Sequence, residues 1–443
     1  MVHTKETKMK SLKVKDNSQL QKESFSDVSR IIDKIKDKSL HQLEKEGIFV
    51  FPELIKDAED ITKDQTILES YNEFYKTGNV MGFLGLGDER LIIKSRFSKD
   101  EDYFLQYMLQ SVMDFPNIVE MQTDSNEDNR LFNLLIFLFP YYLKSAMRKG
   151  LYKTYIRKSY NDSNVKGTID IARHINKNTP FVGNIAYSQR EYSYDNHLTE
   201  LIRHTIELIK KKPYGRTLLS KVKDEVNSVV AATDSYEPYD KNKIINENKK
   251  NIVRHAYFRE YRALQNLCIL ILQHRKHQIG VGNRQIYGVL FDGAWLWEEY
   301  VNSLVSDSFY HPMNKGSKGA QRLFNNNIGL IYPDFISKDS ENRFIADAKY
   351  KPIDNIGNRD YLQVLAYMFR FDAKKGYYFY PEANGENSLS LYLNRGSTYE
   401  KNVEARDDIC VIKHGLHIPD NAKSYDDFVL KIKEAEKEFL SQF

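Results

Sequence analysis

Apolar residues recur at helical spacing in some stretches of the chain and at strand spacing in others. Helical spacing is found in four stretches, the first of which ends in a short strand: residues 28–56, 104–113, 131–147 and 196–211. Strand character is found in three stretches: residues 81–97, 168–171 and 183–192. In the first of these, Gly85, Gly87 and Asp88 predict a turn between two strands. The pattern therefore predicts a chain of mixed α and β structure.

The length of the chain predicts more than one domain. A chain of 443 residues exceeds what one hydrophobic core usually organises, so we expect two or three domains. Two glycines interrupt a basic stretch at residues 278–284, which predicts the boundary before the last domain. The predicted regions are a flexible leader at residues 1–25, an N-terminal α+β domain at 26–115, a mainly helical middle region with strands at 116–284, and a C-terminal α/β domain at 285–443. The segment 235–255 is rich in Asn, Lys and Asp, and it fits either a loop between helices or an exposed projection.

Composition narrows the possible compartments and partners. The chain has 65 basic and 61 acidic residues, a net charge of +4, so any nucleic-acid-binding surface must be local. Cys268 and Cys410 lie far apart in sequence and support neither a disulfide framework nor a zinc site. The most apolar run, residues 131–143, is short of the ~20 residues that span a bilayer. The basic N-terminus is followed by no apolar stretch, so we expect no secretory signal. The cysteine usage predicts a cytoplasmic location, and the short apolar run predicts no membrane association.

The strongest chemical pattern is a pair of apolar runs on either side of a polar turn. The first run contains Pro333 and Asp334, and the second reads Phe-Ile-Ala-Asp-Ala-Lys-Tyr-Lys over residues 344–351. A turn centred between residues 340 and 341 makes a β-hairpin in which Asp334 lies directly opposite Asp347. Opposed side chains share a face with Cβ atoms roughly 5 Å apart. Lys349 lies on the same face because side chains alternate along a strand.

This arrangement predicts a metal site. Like charges placed opposite each other destabilise a hairpin unless something compensates them, and a divalent cation is the natural compensation. Mg²⁺, or Mn²⁺ in its place, prefers oxygen ligands, here Asp334, Asp347, the backbone carbonyl of Ala348 and a phosphate oxygen. Such a metal lowers the pKa of a bound water, which Lys349 could orient or deprotonate, or Lys349 could stabilise the anion instead. The pattern alone leaves an ordinary surface hairpin open as the alternative.

Two flanking helices carry further candidate residues. Residues 296–305 predict a helix with Glu298 at the edge of its apolar stripe, able to face the site, and Glu299 on the opposite side. Residues 360–368 predict a helix in which Gln363 and Tyr367 lie one turn apart on a shared face. The alternatives are a solvated pair of glutamates and a tyrosine that packs on the core.

These residues resemble a known nuclease pattern. Glu298, Pro333-Asp334, Asp347-Ala-Lys349 and Gln363-x-x-x-Tyr367 are similar to the PD-(D/E)xK signature and to the QxxxY element of RecB-like nucleases. The string Asp-Ala-Lys-Tyr-Lys at residues 347–351 and the segments 150–155, 165–170 and 195–198 extend the likeness. Over roughly residues 80–380 the chain resembles McrC, the nuclease subunit of McrBC restriction systems, and also the related LlaJI-type subunits.

The resemblance implies a fold, a site and a function. The last region would be a PD-(D/E)xK endonuclease domain, a central mixed β-sheet flanked by helices. Its implied catalytic residues are Glu298, Asp334, Asp347, Lys349, Gln363 and Tyr367, and its implied metal ligands are Asp334, Asp347, the Ala348 carbonyl and Glu298. The implied function is Mg²⁺-dependent cleavage of double-stranded DNA in defence against foreign DNA.

The resemblance also implies a partner. This would be a GTP-hydrolysing McrB-like AAA+ motor, a hexameric ring that the N-terminal region engages. The chain contains no G-x-x-x-x-G-K-[ST] phosphate loop, so GTP would be hydrolysed on another polypeptide. The glycine-rich segment 82–87 opens no helix and predicts a strand and turn rather than a nucleotide site.

Basic residues near the hairpin are candidates for DNA contact. His311, Lys315, Lys318 and Arg322 precede the hairpin, and Lys351 follows it. Contacts from such side chains to phosphates position a duplex without reading its bases. A solvated loop is the alternative.

The sequence leaves two other functions open. One is a non-catalytic regulator or scaffold that stimulates the GTPase of the partner, and the other is a self-sufficient RecB-like exonuclease.

Overall fold

The computed structural model describes residues 10–46, 48–51, 65–99, 102–113, 127–279, 286–312, 321–383, 388–396 and 403–441. The described residues form both helices and sheets, which confirms the mixed α/β class. The helices are α1 (Ser29–Ile35), α2 (Leu40–Lys45), α3 (Tyr103–Met113), α4 (Glu127–Met147), α5 (Ile171–Lys177), α6 (His197–Lys210), α7 (Gly215–Ser220), α8 (Lys223–Ala232), α9 (Lys241–Lys250), α10 (Glu260–Ile279), α11 (Gly293–Val305), α12 (Asn358–Phe371) and α13 (Tyr425–Leu440).

The strands belong to five sheets. They are β1 (Lys10–Lys15), β2 (Gln19–Gln21), β3 (Phe49–Phe51), β4 (Leu68–Ser70), β5 (Phe74–Thr77), β6 (Val80–Leu86), β7 (Glu89–Lys94), β8 (Thr154–Asp162), β9 (Thr168–Ile169), β10 (Ile185–Ser193), β11 (Tyr287–Asp292), β12 (Phe309–Tyr310), β13 (Gln321–Arg322), β14 (Leu330–Ile331), β15 (Phe335–Ser337), β16 (Phe344–Ala348), β17 (Lys375–Glu382), β18 (Ser388–Gly396) and β19 (Val403–His417).

The chain divides into two compact units. One unit comprises residues 1–119 and 280–443, and the other comprises residues 120–279. The chain re-enters the first unit at residue 280, which lies within the boundary predicted at residues 278–284. The regions predicted as separate first and last domains therefore lie within one unit.

A five-stranded sheet, in the order β1-β7-β6-β11-β3, joins these two regions. Strand β11 pairs antiparallel with β6, with Val289 opposite Phe83, and it pairs parallel with β3. Both β6 and β11 are buried along their whole length. The sheet forms one core with α1 and α2. A strand that is buried on both faces shows no alternation of polar and apolar residues, so its spacing does not identify the sheet that it joins.

The prediction of a flexible leader at residues 1–25 is wrong for its described part. Lys10–Lys15 form β1, an edge strand parallel to β7, and Val14 lies in the core. Strand β2 and a 3-10 helix over Lys22–Val28 follow. Lys13 and Lys15, two of the lysines that suggested a mobile leader, alternate with Leu12 and Val14 in this strand. Exposed charge is a common feature of edge strands. Residues 1–9 lie outside the described residues.

The predicted turn near Gly87 is confirmed. Strands β6 and β7 form a hairpin, and Gly87 lies in its turn with φ +61°. Gly85 lies within β6, where the ring of Tyr287 leaves no room for a Cβ atom. The glycine-rich segment is therefore strand and turn, as predicted. The helix predicted from residue 28 onward is two short helices, α1 and α2, which are separated by Asp37 at φ +56°.

A second, six-stranded sheet has the order β12-β15-β16-β17-β19-β18. It is mixed, because β16, β17 and β19 are parallel to one another and the other pairs are antiparallel. On one face, Tyr378 and Tyr380 pack in a core with Val364 and Met368 of α12. On the other face, Phe379 contacts Phe335 and, on α13, Phe439. The sheet thus lies between helices, in the arrangement predicted for the last region.

The unit of residues 120–279 is mainly helical with one small sheet, β8-β10-β9. Every residue of the predicted apolar stripe of α6 is buried: Leu198, Leu201, Ile202, Thr205, Ile206 and Ile209. The undecided segment 235–255 contains α9, which buries Ile244 and Ile245. Strand β8 was not predicted, because its residues alternate between half-buried and exposed without an apolar face. Among the described residues, we find no helix with the length and apolar character needed to cross a membrane.

Replacing Gly82 should weaken the pairing of β6 with β11. Gly82 has φ +140°, and a Cβ atom there would lie 2.1 Å from the carbonyl oxygen of Val289. We expect Gly82→Ala to lower the free energy of unfolding by about 2–3 kcal/mol. Gly87→Ala is the control, since Gly87 also has a positive φ but a Cβ atom there would meet its nearest neighbour, Nη1 of Arg30, at 3.6 Å. This variant should cost about 1 kcal/mol. Tryptophan fluorescence in denaturant measures both, because Trp295 and Trp297 lie in this unit. Equal losses in the two variants would contradict the steric argument.

The stability of residues 120–279 should depend on pH through His204. This side chain packs against Tyr236, and burial lowers its pKa from 6.5 to about 4. Because the folded-state pKa is depressed, the unfolded chain takes up the proton first, and the contribution of neutral His204 is lost as the pH falls from 6.5 towards 4. We expect His204→Phe to flatten this loss in thermal melts followed by circular dichroism. His197→Phe replaces an exposed histidine of the same helix and should keep the wild-type slope. An unchanged slope in His204→Phe would disprove the assignment.

Candidate functional site

The hairpin of β15 and β16 brings two acidic residues together. Phe335 pairs with Ala346 and Ile336 with Ile345, which is the predicted register. Asp334 directly precedes β15, so the same register sets it opposite Asp347 in β16. The backbone amide of Ala348 donates a hydrogen bond to Oδ2 of Asp334 at 2.8 Å. The predicted opposition of the two carboxylates across the hairpin is therefore present in the structure.

The two carboxylates are held in an environment that disfavours their charge. Asp347 is buried, and Asp334 is half-buried at the end of the strand. Burial raises the pKa of Asp334 well above its usual range, and the nearby charges of Asp347 and Glu298 raise it further. Burial also raises the pKa of Asp347, although the Lys349 ammonium opposes this. Lys349 thus compensates only part of the negative charge that these side chains carry when ionised.

Lys349 is held by groups from the sheet and from α12. Its ammonium forms an ion pair with Asp347 and donates to Oε1 of Gln363 at 3.3 Å. The amide of Gln363 in turn donates to the hydroxyl of Tyr367 at 2.7 Å. Burial lowers the pKa of Lys349, but the carboxylates of Asp347 and Asp334 outweigh this and raise it overall. Gln363 and Tyr367 therefore lie on one face of α12, as predicted, and Gln363 connects this face to the hairpin by its hydrogen bond with Lys349.

Tyr367 is both a core residue and part of this chain of contacts. Its ring belongs to the core between α12 and the six-stranded sheet. Burial raises the pKa of its hydroxyl to about 12. The packing role that the sequence left as an alternative and the contact with Gln363 therefore occur together.

Glu298 reaches the site from a different element, helix α11. The carboxylate of Glu298 is 3.6 Å from Nε2 of His311. Nδ1 of His311 donates to the backbone carbonyl of Asp334 at 2.8 Å, and its ring stacks on Phe335. His311 was predicted as a residue of a DNA-contacting loop. The structure places it between Glu298 and Asp334 instead.

Asp360 is a member of the site that sequence reasoning missed. It accepts hydrogen bonds from Lys351 at 2.7 Å and from the amide of Gly357 at 3.0 Å, and it lies 3.8 Å from the ammonium of Lys349. Burial raises its pKa, but the bonds from Lys351 and Gly357 outweigh this and lower it overall. The available signal was its position three residues before Gln363, which places both on one face of α12.

All these groups line one cleft of about 410 Å³. The predicted site residues in its wall are Glu298, Asp334, Asp347, Ala348, Lys349, Lys351, Gln363 and Tyr367. The other residues in its wall are Asp292, Ala294, Trp295, Glu299, His311, Tyr332, Tyr350 and Asp360. Glu299 therefore does not point away from the site as predicted. It lines the cleft and accepts a hydrogen bond from the indole of Trp295.

The described basic residues predicted to contact DNA do not all lie together in the structure. Lys351 lines the cleft but is paired with Asp360. Arg322 lies in β13, outside the wall of the cleft, and its carbonyl accepts a hydrogen bond from Arg370. Lys315 and Lys318 lie outside the described residues.

The donor atoms of the cleft suit a hard cation. Carboxylate and carbonyl oxygens are the ligands that Mg²⁺ prefers, and Mg²⁺ keeps several waters. Within the described ranges, no three His, Cys, Asp or Glu side chains are already spaced as a complete ligand set. Two carboxylates and a carbonyl, completed by water, nevertheless match what Mg²⁺ requires. The poorly compensated charge of Asp334 and Asp347 is the observation that fits such an ion.

Comparison with known proteins decides the family. The sequence profile of the family described as "McrBC 5-methylcytosine restriction system component" matches residues 75–381, more than half of the chain. The chain belongs to the McrBC family. The matched segment contains the whole hairpin, both flanking helices and the cleft, so the residues described above lie within the part of the chain that defines the family. A search of curated proteins finds no match.

Two solved structures of this family are similar to the chain. A half-complex from the tetradecameric assembly of Thermococcus gammatolerans McrB AAA+ hexamers with bound McrC matches at 15% identity, with 98% of this chain and 99% of that chain covered and a TM-score of 0.49. The cryo-EM structure of the Thermococcus gammatolerans McrBC complex matches at 15% identity, with 67% and 87% covered and a TM-score of 0.30. Membership of the McrBC family rests on the sequence profile.

Neutralising Asp334 should stabilise the metal-free protein. Because burial and repulsion raise its folded-state pKa, ionisation of Asp334 costs stability as the pH rises above the usual value near 4. We expect Asp334→Asn, which can still accept the bond from Ala348, to melt at a higher temperature at pH 8 in a chelator. The gain should vanish near pH 4, where the wild-type carboxyl is protonated.

Asp339, in the turn of the same hairpin, provides the control, because its pKa is shifted in the opposite direction. Backbone hydrogen bonds from Asn342 and Glu341 lower the pKa of exposed Asp339, so its charge is favoured in the folded state. Asp339→Asn should therefore give no stabilisation at pH 8. A lower melting temperature for Asp334→Asn at that pH would refute the account of the cleft.

Proposed function

We propose that this chain is the DNA endonuclease subunit of an McrBC-type restriction system and hydrolyses phosphodiester bonds with Mg²⁺, for which Mn²⁺ can substitute. The observation that carries the proposal is the meeting of Asp334, Asp347 and Lys349 in one cleft, within the segment that matches the family. A structural hairpin gains nothing from two opposed, partly buried carboxylates. A metal-dependent nuclease needs them, because their oxygens hold the divalent cation.

The residues of the cleft divide into two walls. Asp334, Asp347 and the carbonyl of Ala348 would hold the metal from the hairpin, and Glu298 would complete its shell from α11. The bound ion would make a water more acidic and neutralise charge on the scissile phosphate. Lys349 adds a fixed positive charge beside the phosphate. Gln363, itself bonded to Tyr367, holds the Lys349 ammonium in place. Attack of water at phosphorus breaks one P–O bond, and the leaving oxygen takes up a proton.

The proposed partners follow from the family. The chain would act on double-stranded DNA together with a McrB-like AAA+ GTPase, which would supply the nucleotide hydrolysis for which this sequence has no phosphate loop. The Thermococcus gammatolerans half-complex contains McrB AAA+ hexamers with bound McrC. In this proposal the motor brings DNA to the chain, and the cleft cuts it.

Removing the charge of Asp347 should abolish cleavage. Purified chain, a McrB-like partner, GTP and Mg²⁺ are incubated with methylated and unmethylated plasmid DNA, and nicked and linear products are followed on gels. We expect Asp347→Asn to reduce the cleavage rate on the order of 100-fold or more, because a lost metal ligand should cost at least as much as a lost partner of a ligand. GTP hydrolysis by the mixture should remain, since it takes place on the partner.

Glu341→Gln is the matched control for this experiment. It removes one negative charge from the same hairpin, at the exposed turn, and should leave cleavage unchanged. Wild-type cleavage rates in Asp347→Asn would exclude the proposed chemistry. Loss of cleavage in both variants would instead indicate damage to the hairpin.

A further inference from the structure

Tyr350 lies between the two lysines of the cleft but is bound to a different part of the chain. Its hydroxyl forms a hydrogen bond with Oγ of Ser95 at 2.7 Å and lies 3.2 Å from the sulfur of Met81. Its ring meets Phe97 edge to face, with centroids 5.1 Å apart. The guanidinium of Arg96 lies 4.8 Å from the ring centre. Tyr350 is therefore anchored on residues from the first hundred positions of the chain.

The same region anchors the start of α11. The amide of Gly293, the first residue of α11, donates to the carbonyl of Asn79 at 2.9 Å. Arg96 donates to the side chain of Asn79 and forms an ion pair with buried Asp16 at 2.6 Å. The ends of the five-stranded sheet, with the ion pair of Arg96 and Asp16, thus support the first turn of α11.

Tyr350 and Gly293 are also in direct contact. A Cβ atom at Gly293 would lie 2.7 Å from Cε1 of Tyr350, so the ring packs against the bare backbone of the helix. Gly293 lies five residues before Glu298, and Tyr350 follows Lys349 directly. The packing of this aromatic ring is therefore one of the contacts that connect the two walls of the cleft.

We propose that Tyr350 is a positioning residue for the metal site, which it serves by fixing the α11 wall against the hairpin wall through Ser95 and Gly293. This inference rests on the proposed nuclease function, because it concerns the spacing of the groups assigned there to metal binding. It assigns to the N-terminal sheet a part in the chemistry of the cleft. Tyr350 also lines the cleft, but its hydroxyl is bound to Ser95 and is not assigned to the metal or the substrate.

The inference is tested by removing one hydrogen bond from each side. Tyr350→Phe and Ser95→Ala both delete the contact between the two hydroxyls and leave the ring in place. Binding of Mn²⁺ to the full-length chain, without DNA or partner, is followed by the electron paramagnetic resonance of free Mn²⁺. We expect each variant to weaken Mn²⁺ binding by about tenfold, the scale seen when a residue that orients metal ligands is removed. The loss in the double variant should be smaller than the sum of the two single losses, because both changes remove the hydrogen bond between these two hydroxyls.

Tyr425→Phe separates positioning from stability. The hydroxyl of Tyr425 is bonded to Gln110 at 2.6 Å, its ring is fully buried in the same unit, and it does not line the cleft. This variant should lose a similar amount of thermal stability and bind Mn²⁺ as the wild type does. Equal weakening in Tyr425→Phe and Tyr350→Phe, or wild-type binding in Tyr350→Phe, would overturn the inference.

The proposed function is tested separately in the same assay. Wild-type chain should bind Mn²⁺, and Asp347→Asn should not. If both behave in this way while Tyr350→Phe is unaffected, only the positioning role fails. If the wild type binds no Mn²⁺, the nuclease proposal and the positioning role fail together.

Discussion

The opposition of Asp334 and Asp347 across one hairpin is the constraint on which the site depends. The register of β15 and β16 determines the positions of both side chains. A hydrogen bond from the amide of Ala348 also holds the carboxylate of Asp334. Burial raises the pKa of both carboxylates; the charge of Asp347 raises that of Asp334 further, and the charge of Asp360 raises that of Asp347. Natural proteins accept such a loss of stability where a charged ligand or a reaction repays it. The two acidic residues of the hairpin are therefore explained by a charged ligand and not by the stability of the fold.

The scaffold around the hairpin keeps this unfavourable arrangement from relaxing. Strand β17 lies beside β16 and packs against helices on both faces, with Tyr378 towards α12 and Phe379 towards α13. The indole of Trp297, on α11, donates to the carbonyl of Phe379 at 3.0 Å. The helix that carries Glu298 is thereby bound to the strand next to Asp347. Rigid elements on every side are what a preorganised cation site requires.

Local features of the site could be predicted from the sequence, and features that depend on distant pairing could not. A short polar turn between two apolar runs determines the register within a dozen residues, so the place of Asp334 opposite Asp347 follows from counting. Helical spacing likewise places Gln363 beside Tyr367. Strand β17 is buried on both faces and shows no alternation, and β1 resembles a basic tail until β7 is seen beside it. Asp360 was missed because an acid in the first turn of a helix is ordinary, and only the fold brings Lys351 to it.

The position of β11 has a consequence for how the polypeptide can be divided. This strand lies between β6 and β3 in its sheet, although some 200 residues separate it from β6 along the chain. A fragment that stops at residue 285 ends before β11 and leaves β3 without the neighbour that links it to β6. A fragment that starts there carries a strand with no sheet to join. Neither piece would contain a complete five-stranded sheet, so the first hundred residues and the region of the cleft must fold together as one unit.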